Sequence, residues 1–365
     1  MPYVHGHLHN GEWVRPRYRV SRRGIAGWAA AVAAVPLILG GGAALRHVGP
    51  AASPGTTAST GGSARPTAAS GALSLYTEPQ AGMRPIYGLI SGAQHTIRLA
   101  MYELVDPQAE QALATAARRH VRVQVLLDHN RERARNQAAY TYLASQGVQV
   151  AWADPRYTAT HEKVISVDGR TAAVMTGNMV AADYASTRDF LVVDRQLSDV
   201  AAIDDTFDAD FAHRAVTPPA GTDLVWSPTT SQPRLLSMIA AARHTLAIEN
   251  EEMDDPDVTA ALLAALKRHV QVTLVLTSNP EWESTLIQLQ AAGARVIELG
   301  DSTGTIYIHA KVIAADTGTP SARLFIGSQN FSIASLRYNR ELGLISSAGP
   351  LVSAVAAVIR SDAAD

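Results

Sequence analysis

His161-Glu162-Lys163 and His309-Ala310-Lys311 each place an imidazole two residues before an ammonium. The chain has three lysines (Lys163, Lys267 and Lys311) among 31 basic residues, against 12 histidines. Chance would give about 0.1 such pairs, so two call for a chemical reason. On a strand, residues i and i+2 share a face, so His161 and Lys163 point the same way while Glu162 points away. A neutral imidazole serves as nucleophile or proton carrier near pH 7, and an ammonium is a compact point charge that suits an oxyanion better than the planar guanidinium does.

The residues after each pair complete a cradle. Asp168-Gly169 reads as a two-residue hairpin turn. Val167 would then pair with Arg170, His161 would face Thr176, and Thr176-Gly177-Asn178 would return beside the histidine. In the second copy the turn is longer, 316–322, and pairing Ala315 with Arg323 brings His309 opposite Gln329, near Gly327, Ser328 and Asn330. Each half thus offers an imidazole, an ammonium, an amide and a glycine that admits close backbone approach. A zinc site is disfavoured: a third ligand at metal spacing is missing, and two lysines would repel the cation.

The elements that position these groups come from a duplication. HTIRLAMYEL (95–104) matches HTLAIENEEM (244–253), and RRHVRVQVLLDHN (118–130) matches KRHVQVTLVLTSN (267–279), both at an offset of 149, while the His-x-Lys pairs are offset by 148. A period this long is a domain-sized repeat. Each copy reads as a helix (84–93; 232–242), a strand (96–101; 245–249), a helix (108–119; 257–268) and a buried apolar strand (121–127; 270–276). A third helix (131–146; 281–292), another strand (148–152; 295–299) and the His-x-Lys strand come next. Alternating strands and helices predict an α/β sandwich in each half, with helices on both sheet faces. His120 and His269 end the second helix of each copy and are expected to meet its C-terminal carbonyls. Glu103 and Glu252 correspond between copies and end strands that should reach the cleft, where they are candidates to rim the pocket.

Composition bounds the setting. Hydrophobic residues make up 47% of the chain and charged residues 18%, enough for a sizeable core, and the net charge of −2 argues against a protein coated for nucleic acid. The chain has no cysteine, so thiolate sites and disulfides are excluded. Residues 1–23 form a basic tail whose His5, His7 and His9 read as part of a disordered segment. The uncharged run 24–45 is long enough to cross a bilayer, and the arginines before it predict a cytoplasmic N-terminus with the remainder exported. It reads as an uncleaved anchor, with a cleaved export signal as the alternative. Residues 46–72, rich in Ala, Gly, Ser, Thr and Pro, read as a flexible linker.

The pattern His-x-Lys-x4-Asp followed by Gly-Ser-x-Asn resembles the phospholipase D superfamily. Copy two carries His309, Lys311, Asp316 and Gly327-Ser328-Gln329-Asn330. Copy one carries His161, Lys163, Asp168 and Thr176-Gly177-Asn178, without the serine. The resemblance implies two phospholipase D-like α/β/α sandwich repeats, 73–217 and 218–365, related by a pseudo-twofold axis, with one active site between them in a monomer. It also implies phosphodiester transfer through a phosphohistidine, with His161 as nucleophile and His309 as acid and base. Lys163, Lys311, Asn178 and Asn330 would stabilise the phosphoryl oxygens, Ser328 would stand among the catalytic residues, and no metal or other cofactor is called for because the lysines supply the charge. TRDF (187–190) and NREL (339–342) come after the two motifs, and the resemblance suggests that Asp189 orients His161 and Glu341 orients His309. Asp168 and Asp316 stand at turns, where a structural role competes with a catalytic one. The expected substrate is a phospholipid at a membrane surface. The rival readings are a cardiolipin synthase-type transferase, a nonspecific endonuclease and a catalytically inactive binding module.

Overall fold

The computed structural model describes strand segments between residues 3 and 18, residues 65–300 and residues 305–364. The chain divides into two units, 1–62 and 63–365. In the first unit Tyr3–Val4 pairs with Arg17–Tyr18, and His7–His9 pairs with Glu12–Val14, His9 facing Glu12. These short pairings fall within the tail expected to be disordered. Asn10-Gly11 lies between the inner strands in the sequence and is a hairpin signal that composition hides. The apolar run 24–45 lies outside the described residues. Among the described residues no helix is long and apolar enough to cross a membrane.

The second unit begins before the expected boundary at 72. Ala68–Ser70 pairs antiparallel with Leu73–Glu78, and Gly71, at φ 56°, makes the turn that a residue with a side chain would resist. Both copies then keep the element order expected from the sequence. Thr96–Met101 and Arg295–Leu299 fall on the expected residues, and the other expected elements shift at their ends by one or two residues. Asp106 and Asp255 cap the second helix of each copy by accepting two backbone amides, and a proline comes after each of them. His120 and His269 end those helices with positive φ, 66° and 64°. It is their backbone N–H groups that reach the helix carbonyls, at 2.9 Å to Ala117 and Leu266.

The two sheets have the same strand order. In the first it is 149–152, 122–127, 96–101, 163–167, 171–175, 187–194, 73–78, with 68–70 added at the edge. In the second it is 295–299, 271–277, 245–250, 311–315, 323–327, 341–346, 224–227. The first three strands of each sheet run parallel and the rest antiparallel. The strands 187–194 and 341–346, and the helices Leu197–Phe211 and Gly349–Asp362, complete each half beyond the elements expected from the sequence.

Helices pack on both faces of each sheet, as expected, but they do not cover the inner faces alone. The outer face of each sheet packs on its own three helices, around Leu99, Leu113 and Leu143 in one half and Ile248, Leu262 and Leu289 in the other. The inner faces share one core, in which Val174 and Val192 of the first half meet Ile326 and Leu344 of the second, along with Val200 and Val355 from the two terminal helices. Each inner face is too wide for one helix to bury, so the halves bury the remainder against each other.

Candidate active site

The first hairpin is tighter in sequence than in space. Val167 pairs with Thr171, so Asp168, Gly169 and Arg170 all lie in the loop, and the register is one residue from the expected one. Asp168 causes this. Its carboxylate accepts the backbone amides of Gln94, His95 and Thr96 at 2.7–2.9 Å while its φ is 55°. Asp316 does the same for Arg243, His244 and Thr245. Burial works against the charge on both, but the amides outweigh it and hold both carboxyls below their usual range. These aspartates therefore pin the hairpin turns at the far end of the strands from the histidines. Asp316 there edges a separate groove of about 630 Å³. The second hairpin has the expected register, Ala315 against Arg323.

The corrected register identifies the hydroxyl that copy one lacked. The Thr176 amide donates to Phe190 O at 2.9 Å as the Ser328 amide does to Leu342 O at 3.0 Å. Met175-Thr176-Gly177-Asn178 thus matches Gly327-Ser328-Gln329-Asn330 position for position, and Thr176 holds the serine's place. Gly177 lets the chain pass the Asp189 carboxylate, which a Cβ would approach to 2.8 Å.

Both histidines lie just before their strands, at the carboxyl ends of the parallel strands, where α/β sheets form their clefts. The segment leading to each crosses to the other half. The His161 amide donates to Arg340 O at 2.8 Å, and the His309 amide donates to Arg188 O at 3.2 Å. The orienting acids are consequently exchanged relative to the sequence expectation. His161 Nδ1 bonds Glu341 Oε2 at 2.9 Å, and His309 Nδ1 bonds Asp189 Oδ1 at 3.0 Å. Each acid is clasped in turn. Glu341 accepts from Ser335 Oγ at 2.7 Å and Asn339 Nδ2 at 3.0 Å, and Asp189 accepts from Thr176 Oγ1 at 2.6 Å. With Nδ1–H committed to a carboxylate, the chemistry open to each ring is that of Nε2, which in His309 lies 3.6 Å from Glu251 Oε2.

Of the remaining expected residues, the two lysines lie beside these rings. Lys163 and Lys311 donate to the carbonyls of their own histidines, His161 and His309, the first at 2.8 Å. Both lysines are essentially fully buried. The Asn178 and Asn330 side-chain carbonyls are buried without a hydrogen-bond partner in the structure, and Asn330 Nδ2 donates to Glu251 Oε2 at 3.4 Å. Ser328 Oγ bridges the Leu342 amide and carbonyl and also helps to hold the Glu341 carboxyl down. Glu103 pairs with Arg135 at 2.5 Å, and neither it nor Glu252 is the acid that meets the histidines. The residue one place earlier does so: Tyr102 packs edge-on against His161 at 4.5 Å, and Glu251 lies 2.8 Å from Lys311 Nζ. The sequence signal for Tyr102 and Glu251 was their shared place in the repeat.

Burial sets the electrostatics. It pushes the His161 imidazole down to about 4, against the pull of Glu341. Burial together with Lys311 pushes the Lys163 ammonium down to about 7. Burial would raise Glu341 and Asp189, but His161 and Lys163 hold the first below its usual range, and His309 and Lys311 hold the second. The site therefore favours a neutral His161 imidazole and ionised Glu341 and Asp189, and an anion bound beside Lys163 would favour its charged form.

Two duplicated halves that exchange orienting acids across a shared, buried His-Lys-Asn site define a phospholipase D-like protein. The chain belongs to that superfamily: the family model described as cardiolipin synthase, phospholipase D-like domain, matches residues 86–211 and 235–363. Members of this superfamily are phosphodiesterases and phosphotransferases. Among solved structures it resembles the phosphatidylserine synthase of Haemophilus influenzae Rd KW20, with a TM-score of 0.60, 14% identity, and 80% of this chain and 86% of that one covered. It also resembles the polyphosphate kinase of Porphyromonas gingivalis, with a TM-score of 0.61, 16% identity and 80% of this chain covered. This chain spans half the length of that kinase. At these identities the likeness is one of fold. No curated protein shows a significant sequence match.

Proposed function

We propose that the protein cleaves phospholipid phosphodiesters at a membrane surface, transferring the phosphatidyl group to His161 and then to water. The observation that carries this reading is the crossed pair of Nδ1-anchored imidazoles sharing one buried site with two lysines and two asparagines. In the first step His161 Nε2 attacks phosphorus, the bond to the leaving oxygen breaks, and His309 Nε2 gives that oxygen a proton. In the second, water loses a proton to His309 and attacks phosphorus, and the P–N bond to His161 breaks. Lys163, Lys311, Asn178 and Asn330 stabilise the charge on the non-bridging oxygens, in a setting where burial strengthens each contact. The lipid substrate and the membrane setting rest on the apolar run 24–45, which would tether the site near a bilayer.

A second reading, transfer to an alcohol instead of water, is favoured by the description of the matching family model and by the likeness to a phosphatidylserine synthase. The full chain incubated with phosphatidylcholine vesicles, with and without added glycerol, separates the two. Phosphatidic acid is the expected product. A product carrying the alcohol, formed in preference, selects transfer. Nicking of plasmid DNA with steep salt dependence and no lipid turnover would replace both readings.

The pH profile provides an independent check. His161 must be neutral to attack, so kcat/KM should rise as pH increases through about 4. Lys163 must be charged to hold phosphate, so kcat/KM should fall as pH rises through about 7. Bound phosphate favours the ammonium, so the alkaline limb of kcat should lie at higher pH than that of kcat/KM.

A further inference from the structure

The two halves differ at one position inside the site. Tyr102 comes directly after the strand ending at Met101, and its counterpart 149 places on is Glu251. In the first half Lys163 Nζ lies 4.8 Å from the centre of the Tyr102 ring, and the Tyr102 hydroxyl donates to Glu132 at 3.3 Å. In the second half a carboxylate takes that place. Glu251 Oε2 lies 2.8 Å from Lys311 Nζ, 3.4 Å from Asn330 Nδ2 and 3.6 Å from His309 Nε2. Its other oxygen accepts from the Tyr307 hydroxyl at 3.0 Å. An ammonium, an amide NH₂ and an imidazole nitrogen thus converge on one carboxylate oxygen. They are the three groups that the proposed chemistry assigns to phosphate in this half.

We infer that Glu251 is a specificity-determining residue: an internal anion in the second half's phosphate seat that any substrate phosphate must displace. The inference rests on the phosphodiester reading above. Lys311 is fully buried, so it exchanges one anion for another at little cost but loses heavily if left unpaired. A tethered carboxylate competes at high effective concentration. Inorganic phosphate or a small diester brings only its own oxygens to that competition. A larger diester draws further binding from its remaining parts, which can be applied to displacing the carboxylate. Glu251 therefore excludes small phosphates, and the first half, with Tyr102 at this place, carries no matching barrier.

The test compares the full wild-type chain with Glu251→Gln, which keeps shape and removes charge, and with Glu251→Tyr, which copies the first half. Tungstate, as a phosphate mimic, is titrated calorimetrically, turnover of bis(p-nitrophenyl) phosphate is measured, and thermal melts check folding, so that either folded variant suffices. Both variants should bind tungstate at least about tenfold tighter, since an ion pair at such distances is worth more than that factor near a protein surface. Their kcat/KM should rise more for the small diester than for vesicle phospholipid. Equal or weaker tungstate binding by a folded variant, with turnover retained by wild type, overturns the role of Glu251 alone. If no form binds tungstate or cleaves either diester, the phosphodiester reading fails and this inference with it.

Discussion

Asp189→Asn should stall turnover after the first chemical step, and Glu341→Gln should block that step itself. The asymmetry comes from the exchanged pairs: Asp189 holds His309, the proposed acid and base, while Glu341 holds His161, the proposed nucleophile. An amide in place of the carboxylate can stabilise the wrong imidazole tautomer and cannot offset an imidazolium, a change that costs about 10⁴ in kcat in a serine-protease triad. With bis(p-nitrophenyl) phosphate the leaving phenolate needs little help from an acid. Asp189→Asn should therefore give a near-stoichiometric burst of nitrophenol, and then hydrolysis slowed about 10³- to 10⁴-fold. Rapid quenching and mass spectrometry should find the phosphoryl group on residue 161. Glu341→Gln should show no burst, and His161→Ala no labelling. If each acid served the histidine of its own half, the two phenotypes would be interchanged, so the experiment tests the crossing as well as the roles.

That crossing marks where the sequence stopped being informative. The duplication, the element order, the two His-x-Lys pairs and the second hairpin register are local properties of the chain, and all were legible. Which acid reaches which histidine depends on how two halves pack. Asp189 lies closer in sequence to His161 than to His309, yet Thr160 forms its bridge with Arg340, at the start of the other half's strand. The one-residue slip at Asp168 has a different origin. Asp-Gly is a two-residue turn signal only while the aspartate side chain is uncommitted. Here it binds three amides more than 70 residues away in sequence, and the turn lengthens to suit. Glu251 was missed by one position, because the cleft lies beyond the strand end, where alternation no longer tells which of two adjacent acids points inward.

The residues just before the orienting acids carry the second large effect. Arg188 pairs with Asp362 through Nε–Oδ2 at 2.5 Å and Nη2–Oδ1 at 2.8 Å, and Arg340 pairs with Asp210 through Nη2–Oδ1 at 2.9 Å. Each arginine is buried, and each partner sits on the terminal helix of the opposite half, so the two pairs tie the halves together beside the site. Arg340 also lies over the Tyr157 ring at 4.7 Å and 4.0 Å from Glu162, whose carboxyl is pushed up to about 8 by burial and Asp210. Replacing Arg340 with methionine keeps much of the volume but leaves Asp210 without its cation in a dry interface. The expected loss is about 3–5 kcal/mol in urea unfolding at pH 7. Burial raises the Asp210 carboxyl while Arg340 draws it back down, so removing the arginine raises it further. An acid whose folded pKa lies above its unfolded value favours folding at low pH and loses that contribution as pH rises through the folded value. The penalty of Arg340→Met should therefore shrink when the melt is repeated near pH 5. Adding Asp210→Leu should restore most of the stability at pH 7, because a buried ion pair replaced whole costs far less than one broken. A double variant no more stable than Arg340→Met would mean that the arginine acts by filling space and by its contact with Tyr157, and that the charges on either side of the interface do not hold the halves together.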